Sequence, residues 1–92
     1  MEDNHDFVID FSGVKTEEDV HDLLLDALPL PDYYGRNLDA LYDALTEAGE
    51  GWHVELEHEE EADPEVIDYV EKTIETFEDA SDEVPGLTVE RD

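Results

Sequence analysis

The chain has 92 residues, and thirty Asp and Glu stand against four Lys and Arg, which gives a formal net charge of −26. This length predicts one domain, residues 1–92, with a modest core, and the absence of cysteine excludes disulfides and thiolate metal sites. The charge argues against nucleic acid and membrane as direct partners, because phosphates would be repelled, and makes a basic protein the natural complement.

The acidic residues are spread along the whole chain, and lysine is reduced to Lys15 and Lys72. This distribution favours a halophilic source, with deliberate supercharging as the alternative. At about 1 M salt the Debye length is about 3 Å, so self-repulsion would be screened there, whereas in dilute buffer it should destabilise the fold.

Residues 1–4 contain two acids and no basic residue, unlike the basic start of a secretory signal, and the longest aliphatic run, residues 23–25, is far too short to span a bilayer. We therefore expect a soluble cytoplasmic protein.

The first predicted elements are a strand and a helix. Residues 7–11 are an apolar run rich in β-forming residues, which predicts a strand buried on both faces and the most covered strand of a parallel sheet. Thr16 is the expected N-cap of the following helix, whose first turn is acidic. Its apolar stripe runs to Leu28, where Pro29 and Pro31 end it.

The second predicted helix follows the N-cap Asn37 and runs to about Ala48. Its apolar side carries Leu38, Leu41, Ala44, Leu45 and Ala48. Its outward side carries Asp39, Tyr42, Asp43, Thr46 and Glu47. A tyrosine among carboxylates on an outward helix face is a distinctive surface.

The rest of the chain predicts a strand, a loop, a helix and a last strand. Residues 52–57 alternate strictly, which is typical of a strand with one solvent-exposed face, and residues 58–62 read as an acidic loop. Asp63 and Pro64 are the expected N-cap and first residue of a helix that ends near Glu83, before a strand at residues 87–90. The order β-α-α-β-α-β predicts an α/β fold: a small three-stranded parallel sheet packed with helices.

Enzymatic chemistry has little support in the sequence. Carboxylates are abundant, but nothing marks one as desolvated for acid catalysis, and there is no glycine-rich phosphate loop. The histidines lack ligand spacing, and His53 and His58 are expected on opposite faces of an extended segment. A metal site of His58 with residues 59–61 is the alternative to a solvated loop. No catalytic residue, metal ligand or cofactor is predicted.

Three tyrosines lie within ten residues: Tyr33, Tyr34 and Tyr42. Tyrosine offers a large contact area at low entropic cost and is enriched at interface hot spots, and prolines just upstream would stiffen the segment. One of the adjacent pair can instead belong to the core. This combination predicts a protein-binding surface.

Residues 30–46 closely resemble the barstar family, intracellular inhibitors of the secreted ribonuclease barnase. The resemblance rests on the pattern Leu-Pro-x-Tyr-Tyr-Gly-x-Asn-Leu-Asp-Ala-Leu-x-Asp-Ala-Leu-Thr. Outside it, the chain resembles the family in length and element order. The resemblance implies a non-catalytic inhibitor that fills a ribonuclease active site with the loop and helix of residues 33–46.

The resemblance also implies a role for each motif residue. Asp43 would enter the pocket that binds the RNA phosphate, facing arginines and a catalytic histidine. Asp39 would pair with a second basic group, Asn37 and Thr46 would give hydrogen bonds, and Tyr33 would stack on the enzyme's histidine. A row of fixed carboxylates imitates a polyanion, and charge-assisted bonds to arginine are strong.

Further expected contacts are Asp79 and Glu83, which fall where the family carries acids that touch the enzyme's rim. The implied partner is a basic ribonuclease, bound one to one by a protein that is monomeric when free. An antitoxin-like interaction module of the same fold, directed at another basic protein or toxin, is the alternative.

Two residues depart from the family pattern. Tyr42, a further expected contact, stands where the family usually has tryptophan. Arg36 lies beside the predicted interface and would face a basic enzyme unfavourably unless it turns away or pairs with Asp32 or Asp39. The short helix that the family carries after its second strand is expected to be reduced here to the loop at residues 58–62.

Overall fold

The predicted element order is present in the computed structural model of the chain, which describes residues 5–91. The elements are β1 (His5–Asp10), α1 (Glu17–Ala27), α2 (Leu38–Ala48), β2 (Trp52–Glu57), a one-turn 3-10 helix (Glu59–Glu61), α3 (Ile67–Glu83) and β3 (Thr88–Arg91). The α/β class is confirmed. Residues 1–4, on which the argument against a secretory signal rests, lie outside the described residues. Over residues 5–91, no helix combines the length and the apolar character that crossing a membrane requires.

The three strands form one parallel sheet in the order β1-β2-β3. The prediction that residues 7–11 form the most covered strand is therefore wrong, because β2 is central and β1 lies at an edge. Ile9 points into the core, whereas Val8 is 51% exposed on the opposite face. The strand is apolar on both sides, but the helices cover only one face of the sheet. Buried and half-buried residues alternate along β2, in agreement with the prediction of a strand with one solvent-exposed face.

The open face of the sheet carries histidine–carboxylate pairs. His53 Nδ1 and Nε2 lie 3.2 Å from Asp6 Oδ1 and 2.9 Å from Glu90 Oε2, and His58 Nδ1 lies 3.0 Å from Asp10 Oδ1. Both histidines thus contact the same face, and the prediction of opposite faces is wrong. The reason is that His58 leaves the extended conformation, with φ of 59°.

These hydrogen bonds to carboxylates raise the pKa of both His53 and His58.

The predicted acidic loop contains the 3-10 helix Glu59–Glu61, so the short helix after β2 is retained as a single turn. Within residues 5–91, no group of three or more His, Asp or Glu side chains is arranged to hold a metal ion.

Helix α1 begins as predicted. Thr16 Oγ1 accepts the Asp19 amide at 3.0 Å, and Asp19 Oδ2 accepts the Thr16 amide at 3.2 Å. This reciprocal capping box satisfies two backbone donors that a helix N-terminus would otherwise leave unpaired.

Helix α3 begins three residues later than predicted, at Ile67. Asp63 does not cap it: its Oδ1 accepts the Glu65 amide and its carbonyl oxygen accepts the Val66 amide, both at 2.9 Å, which closes a separate turn. The Asp63 amide donates to the Val14 carbonyl at 2.8 Å. This bond to the segment after β1 fixes the turn, and a tertiary contact therefore overrides the local capping signal.

The core lies between the covered face of the sheet and the three helices. Its largest fully buried side chains include Phe11, Phe77, Ile9, Leu24, Leu41, Leu45, Leu56 and Ile74. Ala48, predicted on the apolar side of α2, is exposed at the helix end. Among the described residues no Asp or Glu is buried, so the negative charge of this part of the chain lies on exposed or half-buried side chains.

Candidate partner-binding site

The loop between α1 and α2 divides the adjacent tyrosines between surface and core. The Tyr34 amide donates to the Pro31 carbonyl at 3.0 Å, which closes a tight turn. Tyr33, inside this turn, is 81% exposed, whereas Tyr34 is only 8% exposed. The expectation that one of the pair belongs to the core is confirmed, and Tyr33 is the one available to a partner.

Two side chains of the loop bind α1. The Tyr34 hydroxyl lies 2.7 Å from His21 Nδ1, and Arg36 donates to Asp22 Oδ1 at 2.6 Å and to the Glu18 carbonyl at 3.4 Å. Arg36 therefore turns toward α1 and pairs with Asp22, rather than with Asp32 or Asp39. Asp22 lies on the previous helix, 14 residues earlier in the chain. The left-handed backbone of Arg36, with φ of 56°, directs the side chain toward it.

Asn37 joins the loop to α2 through both ends of its amide. Its Oδ1 accepts the Ala40 amide at 2.7 Å and so caps the helix, and its Nδ2 donates to the Gly35 carbonyl at 3.3 Å. The backbone is close here, since a Cβ added to Gly35 would lie 3.3 Å from Ala40 Cβ. Glycine thus permits the sharp entry into α2.

Asn37→Ala is expected to lower the free energy of unfolding by about 1 kcal/mol, because the Ala40 amide loses its cap. Urea denaturation followed by circular dichroism measures this. Asn37→Asp is the matched control, because it keeps a cap oxygen and places negative charge at the helix N-terminus, where the dipole favours it. Equal loss of stability in both variants would contradict the capping role.

Helix α2 presents its acids on the side opposite the hydrophobic core. Asp39 and Asp43, one helical turn apart, are both exposed, while Leu41 between them is fully buried. Thr46 is half-buried and donates its hydroxyl to the Asp43 carbonyl at 3.1 Å, leaving its oxygen able to accept. The two carboxylates therefore stand on a helix whose opposite side is held by the core.

Packing of α2 against α3 brings the remaining predicted residues together. Tyr42 is half-buried rather than fully outward, because its ring packs against the core at the edge of this helix pair. Partial desolvation raises the pKa of Tyr42, and the charges of Glu83, Asp79 and Asp43 raise it further. These three acids, from two helices, therefore lie near one tyrosine.

In the described part of the chain, the cationic side chains that form ion pairs do so outside the predicted site. Among residues 5–91 the ion pairs are made by Arg36, His53, His58 and Arg91. None of them includes the four predicted site carboxylates: Asp39, Asp43, Asp79 and Glu83. This surface therefore presents negative charge that the described part of the chain does not neutralise.

A small cavity of about 60 Å³ lies between the loop and α2. Its wall includes Tyr33 and Gly35 of the loop and Ala44 and Glu47 of α2. Glu47 was recognised as an outward acid but not as a neighbour of Tyr33. The contacts of His21 with Tyr34 and Tyr69 were not predicted either, because the sequence carries no local signal for contacts between distant elements.

Comparisons with known proteins agree with this architecture. A family model described as Barstar (barnase inhibitor) matches residues 4–91. A Bacillus subtilis (strain 168) protein named "Putative ribonuclease inhibitor YrdF" is 53% identical over 45 residues, which are 49% of this chain and 45% of that protein. The alignment thus spans about half of each chain.

Proposed function

We propose, since the chain belongs to the barstar family, that it inhibits a basic ribonuclease by filling the active site with residues 33–46. One observation carries the proposal. Exposed carboxylates, Asp39 and Asp43, stand on a rigid helix beside the exposed ring of Tyr33, and none of the ion pairs among residues 5–91 neutralises them. The family description and the name of the Bacillus subtilis relative support the same activity.

The chemistry of the surface suits a site that binds a polyanion. A ribonuclease holds RNA phosphate with cationic side chains, and a fixed carboxylate can accept the same charge-assisted hydrogen bonds. In our proposal Asp43 takes the phosphate position, Asp39 pairs with a second basic group, and Tyr33 stacks on the enzyme's histidine. The Thr46 hydroxyl and the free N–H of Asn37 complete the contacts. Because α2 is already ordered, little entropy is lost on association.

The α3 side of the surface would contact the rim of the enzyme. Asp79 and Glu83 are exposed and lie near Tyr42, which offers a partly apolar ring between them and α2. Charges at a rim mainly increase the association rate, whereas desolvated central pairs decide the dissociation rate. We therefore assign Asp43 to affinity, and these two acids to encounter at low ionic strength, where steering is not screened.

We also propose that most of the negative charge serves solvation in a salt-rich cytoplasm. At about 1 M salt the Debye length is about 3 Å, so long-range steering is lost and affinity depends on contacts at hydrogen-bond distance. The melting temperature of the free, monomeric protein should then rise steeply with KCl, because screening removes repulsion among surface carboxylates. A scan of melting temperature against KCl concentration measures this, and a flat response would contradict it.

A basic ribonuclease of the barnase type should be inhibited at a ratio of one to one. RNA hydrolysis and calorimetric titration at about 0.15 M and about 1 M KCl measure inhibition and binding. A basic protein without nuclease activity is the control for attraction to a polyanion. Binding of that control with similar affinity, or no protection of RNA, would contradict the proposal.

The second candidate is an antitoxin-like module that binds another basic protein or toxin through the same surface. It is favoured by Tyr42, a half-buried residue of the α2–α3 edge that stands where the family usually has tryptophan. Binding of a basic partner that lacks ribonuclease activity, abolished by Asp43→Ala, would support it.

A further inference from the structure

A buried histidine joins three elements at the back of the candidate site. His21 of α1 is 2% exposed, and its Nδ1 lies 2.7 Å from the Tyr34 hydroxyl, while its Nε2 lies 2.6 Å from the Tyr69 hydroxyl of α3. Both ring nitrogens are thus occupied by tyrosines. One of these tyrosines belongs to the loop that presents Tyr33.

The hydrogen-bonding requirements of His21, Tyr34 and Tyr69 indicate which of their atoms carry the protons. Within residues 5–91, His21 is the hydrogen-bond partner of the Tyr34 hydroxyl, which is buried, whereas Tyr69 is half-buried and can donate to water. All groups are satisfied if Tyr34 donates to Nδ1 and Nε2–H donates to Tyr69. Neutral His21 with its proton on Nε2 therefore gives the Tyr34 hydroxyl its acceptor.

The loop is held on α1 by this bond and by the adjacent Arg36–Asp22 pair. The ion pair is exposed, with 36% of the Arg36 side chain and 62% of the Asp22 side chain accessible, so it contributes little and is screened by salt. The His21–Tyr34 bond is buried and is screened much less. At high salt it is therefore the polar contact between the loop and α1 that screening weakens least.

We propose that His21 is the positioning residue of the inhibitory loop, acting through Tyr34, and that its protonation loosens the loop and weakens partner binding in mild acid. The regulatory part of this inference rests on the proposed function; the positioning part concerns the free protein alone. Protonated His21 would donate from both nitrogens, so the buried Tyr34 hydroxyl would lose its acceptor. Leaving a buried donor unpaired is unfavourable.

The charged groups around His21 agree with a neutral ring. Burial lowers the pKa of His21, and Arg36 of the loop lowers it further, whereas Glu17 and Asp22 of α1 oppose the shift. The other facing groups are Tyr34 and Tyr69, whose pKa values burial raises, so both stay protonated. Because the folded pKa is below the ordinary histidine value of about 6.5, this contribution to stability is present above that pH and is lost as pH falls through the folded value.

Amide hydrogen exchange of the free protein tests the positioning role without any partner. The Tyr34 amide, which donates to the Pro31 carbonyl, reports the loop, and the Leu41 amide reports α2. Between about pH 7.5 and about pH 5.5 we expect the protection factor of Tyr34, corrected for intrinsic exchange, to fall several-fold, up to about tenfold. That of Leu41 should change much less.

Three variants separate His21 from general effects of acid. His21→Asn keeps an oxygen acceptor close to the Nδ1 position but does not titrate, so Tyr34 protection should become independent of pH. Tyr34→Phe, which leaves the histidine in place, should give low loop protection at both pH values. His53→Asn, on the open face of the sheet, should behave like the unchanged chain.

Affinity for an inhibited basic ribonuclease provides the second readout. The affinity of the unchanged chain is divided by that of His21→Asn at each pH, because this ratio cancels the effect of titrating groups on the enzyme. We expect the ratio to fall by up to about tenfold per pH unit below the His21 pKa. Unchanged Tyr34 protection, or an equal acid loss in His21→Asn, would overturn the inference. A loop that loosens in acid in a protein that binds no ribonuclease would support the positioning role and contradict the proposed function.

Discussion

Asp43→Ala should weaken ribonuclease inhibition by at least about 30-fold, while leaving the folded protein intact. Removing one member of a desolvated, hydrogen-bonded ion pair at an interface costs about 2–5 kcal/mol, because the enzyme's cation is left buried without its counter-ion. Asp43 is exposed in the free protein and belongs to none of the ion pairs among residues 5–91. Inhibition constants and dissociation rates, measured at about 1 M KCl to suppress steering, give the effect.

Asp68→Ala is the matched control for Asp43→Ala. Asp68 is an exposed acid in the first turn of α3, outside the motif, and its removal changes the net charge by the same amount. We expect a change in affinity within about twofold, since isolated surface charges contribute little when salt screens them. Equal losses in the two variants would show that the partner recognises overall negative charge, and would contradict the assigned role of Asp43.

Leu41→Ala should lower the free energy of unfolding by about 2–5 kcal/mol, the range for truncating a fully buried leucine without full collapse of the cavity. Leu41 is 0% exposed on the inner side of α2, between the two outward carboxylates. Urea denaturation at high KCl, where self-repulsion is screened, isolates the packing contribution. Inhibition by the folded fraction should remain, because the outward side of the helix is unchanged.

Leu25→Ala provides the same chemical change at a solvent-exposed site of α1, where the leucine is 37% exposed. Its effect on stability should be below about 1 kcal/mol, since little apolar area returns to water. Comparable destabilisation by both variants would contradict the placement of α2 on the core. Together with Asp43→Ala, the pair separates residues that hold the site from residues that bind.

The location of the candidate site could be predicted because its signals are local. Pro31, Gly35 and Asn37 determine the turn and the helix start within a few residues, and the 3.6-residue period then places Asp39 and Asp43 on the outward side. The structure shows Asn37 as the cap and both acids exposed. The binding roles of these residues remain predictions for the assays above.

What could not be predicted depends on contacts between distant parts of the chain. His21 meets Tyr34 and Tyr69, which are 13 and 48 residues away, and Arg36 meets Asp22, 14 residues away. The half-burial of Tyr42 likewise results from the packing of α2 on α3. No local periodicity encodes such pairs.

Local patterns were enough to predict the order of the elements and the caps of α1 and α2, because each depends on neighbours within about one helical turn. The central position of β2, the open face of the sheet and the start of α3 at Ile67 depend instead on how the elements pack together. So does the way in which the loop is held on α1. These features arise when apolar faces are buried together and buried polar groups find partners, and both requirements act on the whole fold rather than on one segment.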